Sequence, residues 1–266
     1  MIPNVLHLVW LDGGAFSALN YLCVSSALHK NGFDEAVLHC DQEPKGYWWE
    51  RLKDKIALDY VKRPREVAGR PIVHPAHATD LLRLQILHSE GGIYLDNDVL
   101  CVRPFADLRD LRTVLGQEGS DVPAQTPGAC NAVILAEPGS TFLAEWLRGF
   151  DPLTSHWEGF RSLGRDRYWS EYSVQYPAYL AAMRSDVTLL NADAFFFPMW
   201  YELDLQNFFE KSGPVPPGAY CHHLWQSHPF VRECFKENTL ERAGRGESIF
   251  DNQVRMAFDD EVEQYL

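Results

Sequence analysis

Val5-Leu6-His7-Leu8-Val9-Trp10 is a short apolar run closed by Asp12-Gly13-Gly14, the pattern of a buried strand ending in a turn. Helical spacing follows from Ser17 to Asn31, and Gly32 stops it. Ala36 to Cys40 reads as a second strand, Tyr47 to Lys55 as a helix and Ile56 to Tyr60 as a third strand. This β-α-β-α-β alternation predicts an α/β fold, a parallel sheet wrapped by helices. Arg63 to Pro75 has no period and holds Pro64, Gly69, Pro71 and Pro75, so it reads as a loop. From Ala76 to Glu90 the apolar positions Leu81, Leu82, Leu84, Ile86 and Leu87 cover most of the circumference, which predicts a helix buried on several sides.

After the Gly91-Gly92 break comes Ile93-Tyr94-Leu95-Asp96-Asn97-Asp98-Val99. Read as extended, it places Tyr94, Asp96 and Asp98 on one face and Ile93, Leu95 and Val99 on the other. Further strands are predicted at Val114 to Glu118, Ala132 to Ala136, Val187 to Leu190, Phe195 to Phe197 and Ala219 to Leu224, with helices at Thr141 to Gly149 and Tyr172 to Arg184. Asp151 to Trp169 is rich in aromatics and Gly without a regular period, so an inserted lobe is expected over Asp151 to Arg184. The charged tail from Glu233 to Leu266 is expected to be helical and peripheral.

Composition narrows the function. The chain has 266 residues, enough for one large domain with a substantial core. Lys plus Arg is 24 against Asp plus Glu at 37, a net charge of -13 that repels nucleic acid. The N-terminus lacks a basic region, an uninterrupted apolar stretch and a cleavage site, and no apolar run approaches the roughly 18 to 20 residues that cross a bilayer. A cytoplasmic protein without stable membrane insertion, at most peripheral at the inner membrane face, is expected. The six cysteines are scattered singly, so reduced and mostly buried thiols are expected rather than a metal site.

The chemistry gathers around Asp96 and Asp98. Two carboxylates two positions apart at a strand end can hold a hard divalent cation that also takes a ligand's phosphates. An Asp-x-Asp triplet alone recurs by chance, but here the preceding helix also carries Asp80 and Arg83 at i and i+3 on one face. His74, His77 and His88 are expected to sit in loops or on the surface. Trp157, Tyr168, Trp169, Tyr172, Tyr176 and Tyr179 are expected to pack the lobe, with a sugar-stacking platform as the sharper alternative.

Ala78-Thr79-Asp80-Leu81-Leu82-Arg83 followed by Gly91-Gly92-Ile93-Tyr94-Leu95-Asp96-Asn97-Asp98-Val99 resembles the signature of the DXD sugar transferases. That group includes initiating mannosyltransferases, α1,4-galactosyl and α1,4-N-acetylglucosaminyl transferases, bacterial capsule enzymes and, distantly, the glucosylating clostridial toxins. Ile2 to Trp10 is similar to the family's first strand, and His223-Leu224-Trp225-Gln226-Ser227 resembles its C-terminal His-x-Trp element.

The resemblance implies a GT-A fold, a Rossmann-like mixed sheet flanked by helices. It implies a retaining, metal-dependent transferase that moves a sugar from a UDP-sugar or GDP-mannose to a glycan, lipid-linked or protein acceptor, as in surface polysaccharide synthesis. Trp10 would stack on the base, Asp80 and Arg83 would hold sugar hydroxyls, with Arg83 also near the phosphates, and Tyr94 and Asn131 would line the donor. Asp96 would meet the ribose or the metal. Asp98 would ligate Mn2+ or Mg2+, with His223 completing the shell and His222 the alternative ligand. Trp225 and Ser227 would donate hydrogen bonds to the leaving β-phosphate, and Asp98, Arg83 and Trp225 would carry catalysis. Where the family often continues into Ser-Trp, this chain has Ser227-His228-Pro229.

Two other readings fit parts of the sequence. Tyr94 to Val99 also matches the haloacid dehalogenase phosphatases, with Asp96 as nucleophile and Asp98 as acid, but their clamping lysine would have to be Lys211 or Lys236. A nucleotide-sugar-binding pseudoenzyme would keep Trp10 and Arg83 but could lose the metal carboxylates, which are present here.

Overall fold

The computed structural model describes residues 1–119, 128–155 and 157–265. The expected alternation forms: β1 (Val5–Trp10), α1 (Ala18–Asn31), β2 (Glu35–Cys40), α2 (Tyr47–Glu50) and β3 (Ala57–Tyr60). Ser17 caps α1 through a reciprocal box with Asn20, and Gly32 ends it in the left-handed conformation. The proline-rich segment read as a loop contains a small hairpin, β4 (Glu66–Val67) and β5 (Arg70–Pro71). α3 (Pro75–Glu90) starts with Pro75 after the His74 cap and is buried on several sides, as its leucines require.

Gly91 and Gly92, at φ +69° and +106°, turn the chain from α3 into β6 (Gly92–Leu95). A Cβ at Gly92 would lie 2.8 Å from Val5 O and 2.9 Å from the His7 ring, so a side chain there would force the two strands apart. β7 (Val99–Cys101), β8 (Thr113–Glu118), β9 (Gly128–Ala136) and α4 (Thr141–Arg148) follow. Beyond them lie α5 (Tyr176–Ala181), β10 (Val187–Leu190), α6 (Glu202–Glu210), β11 (Cys221–His223), α7 (Pro229–Cys234), α8 (Ile249–Ala257) and α9 (Val262–Tyr265).

The main sheet has seven strands in the order β10-β8-β9-β6-β1-β2-β3. It is parallel except for β9, which runs antiparallel to both β6 and β8, so the sheet is mixed. Alternate residues feed opposite faces: Leu6 and Leu8 pack with Leu22 and Leu38 on one side, while Val9 packs with Leu84, Leu87 and Trp146 on the other. In the segment expected to form a lobe, Phe160, Tyr172 and Tyr176 join this second core, and Trp146 Nε1 donates to Tyr172 O at 2.8 Å. Residue 156 of that segment lies outside the described residues.

Three expectations are corrected. Phe195 to Phe197 is not a strand. Phe195 and Phe196 are fully buried in a loop, whose Phe195 carbonyl accepts from His223 N at 3.1 Å. Ile93 to Val99 is not one continuous strand, a point taken up below. The C-terminal tail is not peripheral: Ile249, Phe250, Val254, Ala257 and Phe258 form an apolar stripe at helical spacing that the surrounding charges mask, and it is buried in the main core. Residue 266 at the end of the tail lies outside the described residues.

All six cysteines are free, five of them buried and Cys234 exposed. No helix among the described residues is long and apolar enough to cross a membrane.

Two predictions follow from this packing. Phe258 is completely buried, so Phe258→Ala should cost about 3–5 kcal/mol in urea unfolding, where a peripheral tail would show under about 0.5 kcal/mol. His7 lies in a buried relay, its Nδ1 3.0 Å from His39 Nε2 and its Nε2 3.0 Å from Gly91 O. Burial, and then repulsion from His39, lower its pKa to about 4. Unfolding releases this group to titrate near its ordinary 6.5, so the stability it contributes is complete above that value and lost as pH falls toward 4. His7→Gln should flatten the stability-against-pH curve between these values by up to about 3 kcal/mol.

Candidate active site

The Asp-x-Asp segment is a tight turn. β6 stops at Leu95, Asp96 N still donates to Ala132 O of β9 at 2.8 Å, and Val99 N closes on Asp96 O at 3.2 Å. The extended reading of Ile93 to Val99 is therefore replaced: Asp96 and Asp98 converge because the chain folds back on itself. Asn97 holds the turn, donating from Nδ2 to Val9 O at 2.8 Å.

The turn leads into β7, which pairs antiparallel with β11 so that His223 stands opposite Val99. This register sets the imidazole beside Asp98, with Nε2 3.3 Å from Oδ1. Trp225 then adopts φ +54°, a conformation that L side chains rarely take, and wraps the loop around Asp98. Leu224 N donates to Asp98 O at 2.9 Å, and Gln226 N to Asp98 Oδ2 at 2.8 Å.

One ligand atom each from Asp96, Asp98 and His223 lies within 4.8 Å of the others, a set that could hold a metal ion. His223 Nδ1 is buried without a hydrogen-bond partner. Burial opposes charge on both His223 and Asp98, yet each overrides it for the other: the His223 pKa is raised and the Asp98 carboxyl is held below its usual range. His222, one residue earlier, places Nδ1 2.6 Å from Phe197 O and Nε2 2.8 Å from Gln253 Oε1, so both nitrogens are already engaged away from the carboxylates.

The other half of the site is built around Arg83, only 4% exposed. Its NH1 lies 3.1 Å from Asp96 Oδ1 and donates to Asn131 O at 2.7 Å, its NH2 lies 3.3 Å from Asp80 Oδ1, and its guanidinium sits 4.5 Å from the centre of the Tyr94 ring. Asn131 Nδ2 donates to Asp80 Oδ1 at 2.7 Å, and Tyr94 OH to Asp96 Oδ1 at 2.6 Å. Asn131 is available because the β8–β9 register shifts from Leu115↔Ile134 to Gly116↔Cys130, an irregularity that takes it out of the ladder. Burial pushes the Asp96 pKa up, against the opposing pull of Arg83.

A cavity of about 960 Å3 joins the two halves, a volume that suits a small-molecule ligand. Trp10, Asp80, Arg83, Tyr94, Asp96, Asp98, Asn131, His223, Trp225 and Ser227 all line it, and His222 does not. Trp10 donates its indole N–H to Gly13 O, and Trp225 donates its own to Pro198 O at 2.8 Å, so that proton is already committed within the protein. Lys211 and Lys236 are exposed and absent from the lining, which leaves the phosphatase reading without its lysine.

The sequence reading missed several contributors. Asn20 donates from Nδ2 to Asn97 O at 3.1 Å and to Gln226 Oε1 at 2.7 Å, and Gln226 Nε2 donates to Ser17 Oγ at 2.9 Å. The start of α1 is thereby tied to both turns that carry the carboxylates and His223. Glu118 and Trp200 line the cavity as well, and burial raises the Glu118 pKa. His77, expected near the surface, is buried.

Residues 29–118 match the family model described as the glycosyltransferase sugar-binding region containing DXD motif. The chain's fold is of the GT-A glycosyltransferase type. The glycosyltransferase GlyE of Streptococcus pneumoniae TIGR4 superposes with a TM-score of 0.51 at 14% identity, over 98% of this chain and 64% of that one. Among relatives, Glucan organizing enzyme 1 of Cryptococcus neoformans var. grubii is 30% identical over 242 residues, 85% of this chain and 63% of that protein. An uncharacterized glycosyltransferase of Acanthamoeba polyphaga mimivirus is 28% identical over 113 residues, 42% of this chain and 41% of that protein. The chain thus spans less than two thirds of either relative's length.

Arg83→Met should strand the Asp80 and Asp96 carboxylates without their shared cation. The expected loss is about 3–5 kcal/mol in chemical unfolding, against under about 1 kcal/mol for a surface arginine in an exposed ion pair such as Arg245 with Glu263.

Proposed function

We propose that the protein transfers a glycosyl group from a nucleotide-sugar donor, a UDP-sugar or GDP-mannose, to a hydroxyl acceptor, with Mn2+ or Mg2+ as cofactor. The observation that carries this reading is the pairing of an Asp96-Asp98-His223 cluster with the neutralised Arg83-Asp80 pair in one cavity. Two carboxylate oxygens and an imidazole nitrogen form a donor set suited to Mn2+. The bound ion would neutralise the charge that develops on the departing diphosphate.

The chain's own residues divide the remaining work. Trp10, at the end of β1, serves as the base platform, and Asp80, Arg83, Tyr94 and Asn131 surround the donor sugar. Arg83 is held charged: burial works against it, but Asp96, Tyr94 and Asp80 more than compensate, so it is a fixed hydrogen-bond donor beside the donor sugar, its charge matched by the two carboxylates. Ser227, on the cavity wall, is assigned as a donor to the leaving phosphate. Trp225, its N–H given to Pro198, acts as a wall against His223, with ring centres 4.1 Å apart. The acceptor is a glycan, alone or on a lipid or protein carrier, and the name of the Cryptococcus relative, which refers to glucan, favours that choice. The 151–184 segment supplies the acceptor side, and a cytoplasmic location with surface polysaccharide as the product completes the reading.

Thermal unfolding with UDP or GDP, each with and without Mn2+, tests this. A hundredfold excess over Kd should raise the midpoint by about 5 °C for one base only, and only with metal. Asp98→Asn should abolish the metal-dependent part. If neither nucleotide moves the midpoint, with or without Mn2+, the transferase reading fails.

A further inference from the structure

Of the seven Phe, Tyr and Trp residues in the 151–184 segment, Trp169 alone lines the cavity. Tyr172 and Tyr176 are buried, Trp157 packs on Tyr176 and Tyr179 with ring centres 5.5 and 6.1 Å away, and Tyr168 lies between the guanidinium groups of Arg161 and Arg167 at 4.1 and 4.6 Å. Trp169 is half-buried and part of the cavity wall, and the only guanidinium over its ring among the described residues, that of the exposed Arg165, stands off at 5.7 Å from the centre.

Its indole is held in place from the α3 side. His77 packs against it with ring centres 4.9 Å apart, His74 meets it edge-on at 4.7 Å, and the backbone turn beneath it closes through Trp169 N donating to Asp166 O at 3.0 Å. His77 is 3% exposed, and neither ring nitrogen has a hydrogen-bond partner. Each such unmet group costs about 1–3 kcal/mol, so stability alone does not account for an imidazole at this position.

The position along α3 gives the spacing. His77, Asp80 and Arg83 follow one another three residues apart, about 4.5 Å of rise per step. Trp169, set against His77, therefore lies about 9 Å along the helix from the Arg83–Asp96 pair, roughly the length of two adjoining sugar rings. The apolar C–H face of a pyranose fits an indole face, and Ser170 and Ser173 line the cavity beside it as hydroxyl partners.

We propose that Trp169 is the stacking floor for a pyranose ring of the acceptor, so that the acceptor is recognised as a carbohydrate rather than as a peptide or a lipid chain. This rests on the transferase reading above. His77 is a positioning residue that fixes the indole.

The test uses the whole protein with Mg2+ and the nucleoside diphosphate that raises its unfolding midpoint. Cellotetraose, laminaritetraose, mannotetraose and chitotetraose are titrated by ligand-observed saturation-transfer NMR. At least one should bind, Trp169→Ala should weaken it tenfold or more, and Trp169→Phe should weaken it less than threefold. Both variants should keep the nucleotide-induced shift, which shows that the fold and donor site are intact. Equal affinity in Trp169→Ala and the unaltered protein, or no binding of any of the four to the unaltered protein, overturns the assignment. Loss of the nucleotide shift in the unaltered protein would instead sink the transferase reading beneath it.

Discussion

Arg83 carries a full positive charge where water barely reaches, and a buried guanidinium is tolerable only when its charge and its donors are met by fixed partners. Those partners come from three elements. Asp80 lies one turn back on α3, Asp96 stands at the end of β6, and the Asn131 carbonyl projects from the irregularity in β9. Satisfying one side chain thus fixes how α3, β6 and β9 meet, and the fixed meeting point is the floor of the cavity. The same arrangement leaves the guanidinium with its orientation set before any ligand arrives, which is what an electrostatic site requires.

The second half of the site is assembled by turns. The fold-back at Asp96 to Val99 and the left-handed Trp225 face each other across the β7–β11 pair, and Asp98 takes backbone N–H groups from both sides of Trp225. Ser17, Asn20 and Gln226 then bind the start of α1 to both turns. A non-glycine residue at φ +54° costs on the order of 1–3 kcal/mol, and here that strain sits beside the carboxylates and the imidazole that would hold a cation. The C-terminal segment matters to this geometry because Gln253 of α8 takes one nitrogen of His222 and keeps that ring turned away from Asp98.

The proposed donor is anionic, and an acidic chain can bind it because charge acts locally. The net charge of -13 disfavours an extended polyanion, but a diphosphate responds to the few groups within a Debye length, about 8 Å in physiological salt. On the proposed function a cation at the Asp-Asp-His cluster would supply that local field, since the charge of Arg83 is already matched by Asp80 and Asp96. The aromatic side chains mark the other dimension of the cavity, with Trp10 at the β1 end and Trp169 on the segment that packs over α3.

The sequence by itself determined the α/β alternation, the buried α3 and the nearness of Asp80 to Arg83, because each depends on local periodicity or on i, i+3 spacing along one helix. The signature around Asp96 and Asp98 was legible too, down to the cavity its residues share, whereas the turn that joins them was not: alternation and fold-back use the same residue types, and only the β7–β11 register decides between them. The antiparallel β9, the engagement of His222 with Phe197 and Gln253, and the burial of the charged tail share this origin. So do the roles of Asn20 and Gln226, which lie more than 200 positions apart in the chain and meet at 2.7 Å. Such contacts leave no period in the sequence. They arise only when the sheet sets which strand ends lie side by side, and that is the part of this protein that the tertiary structure decided.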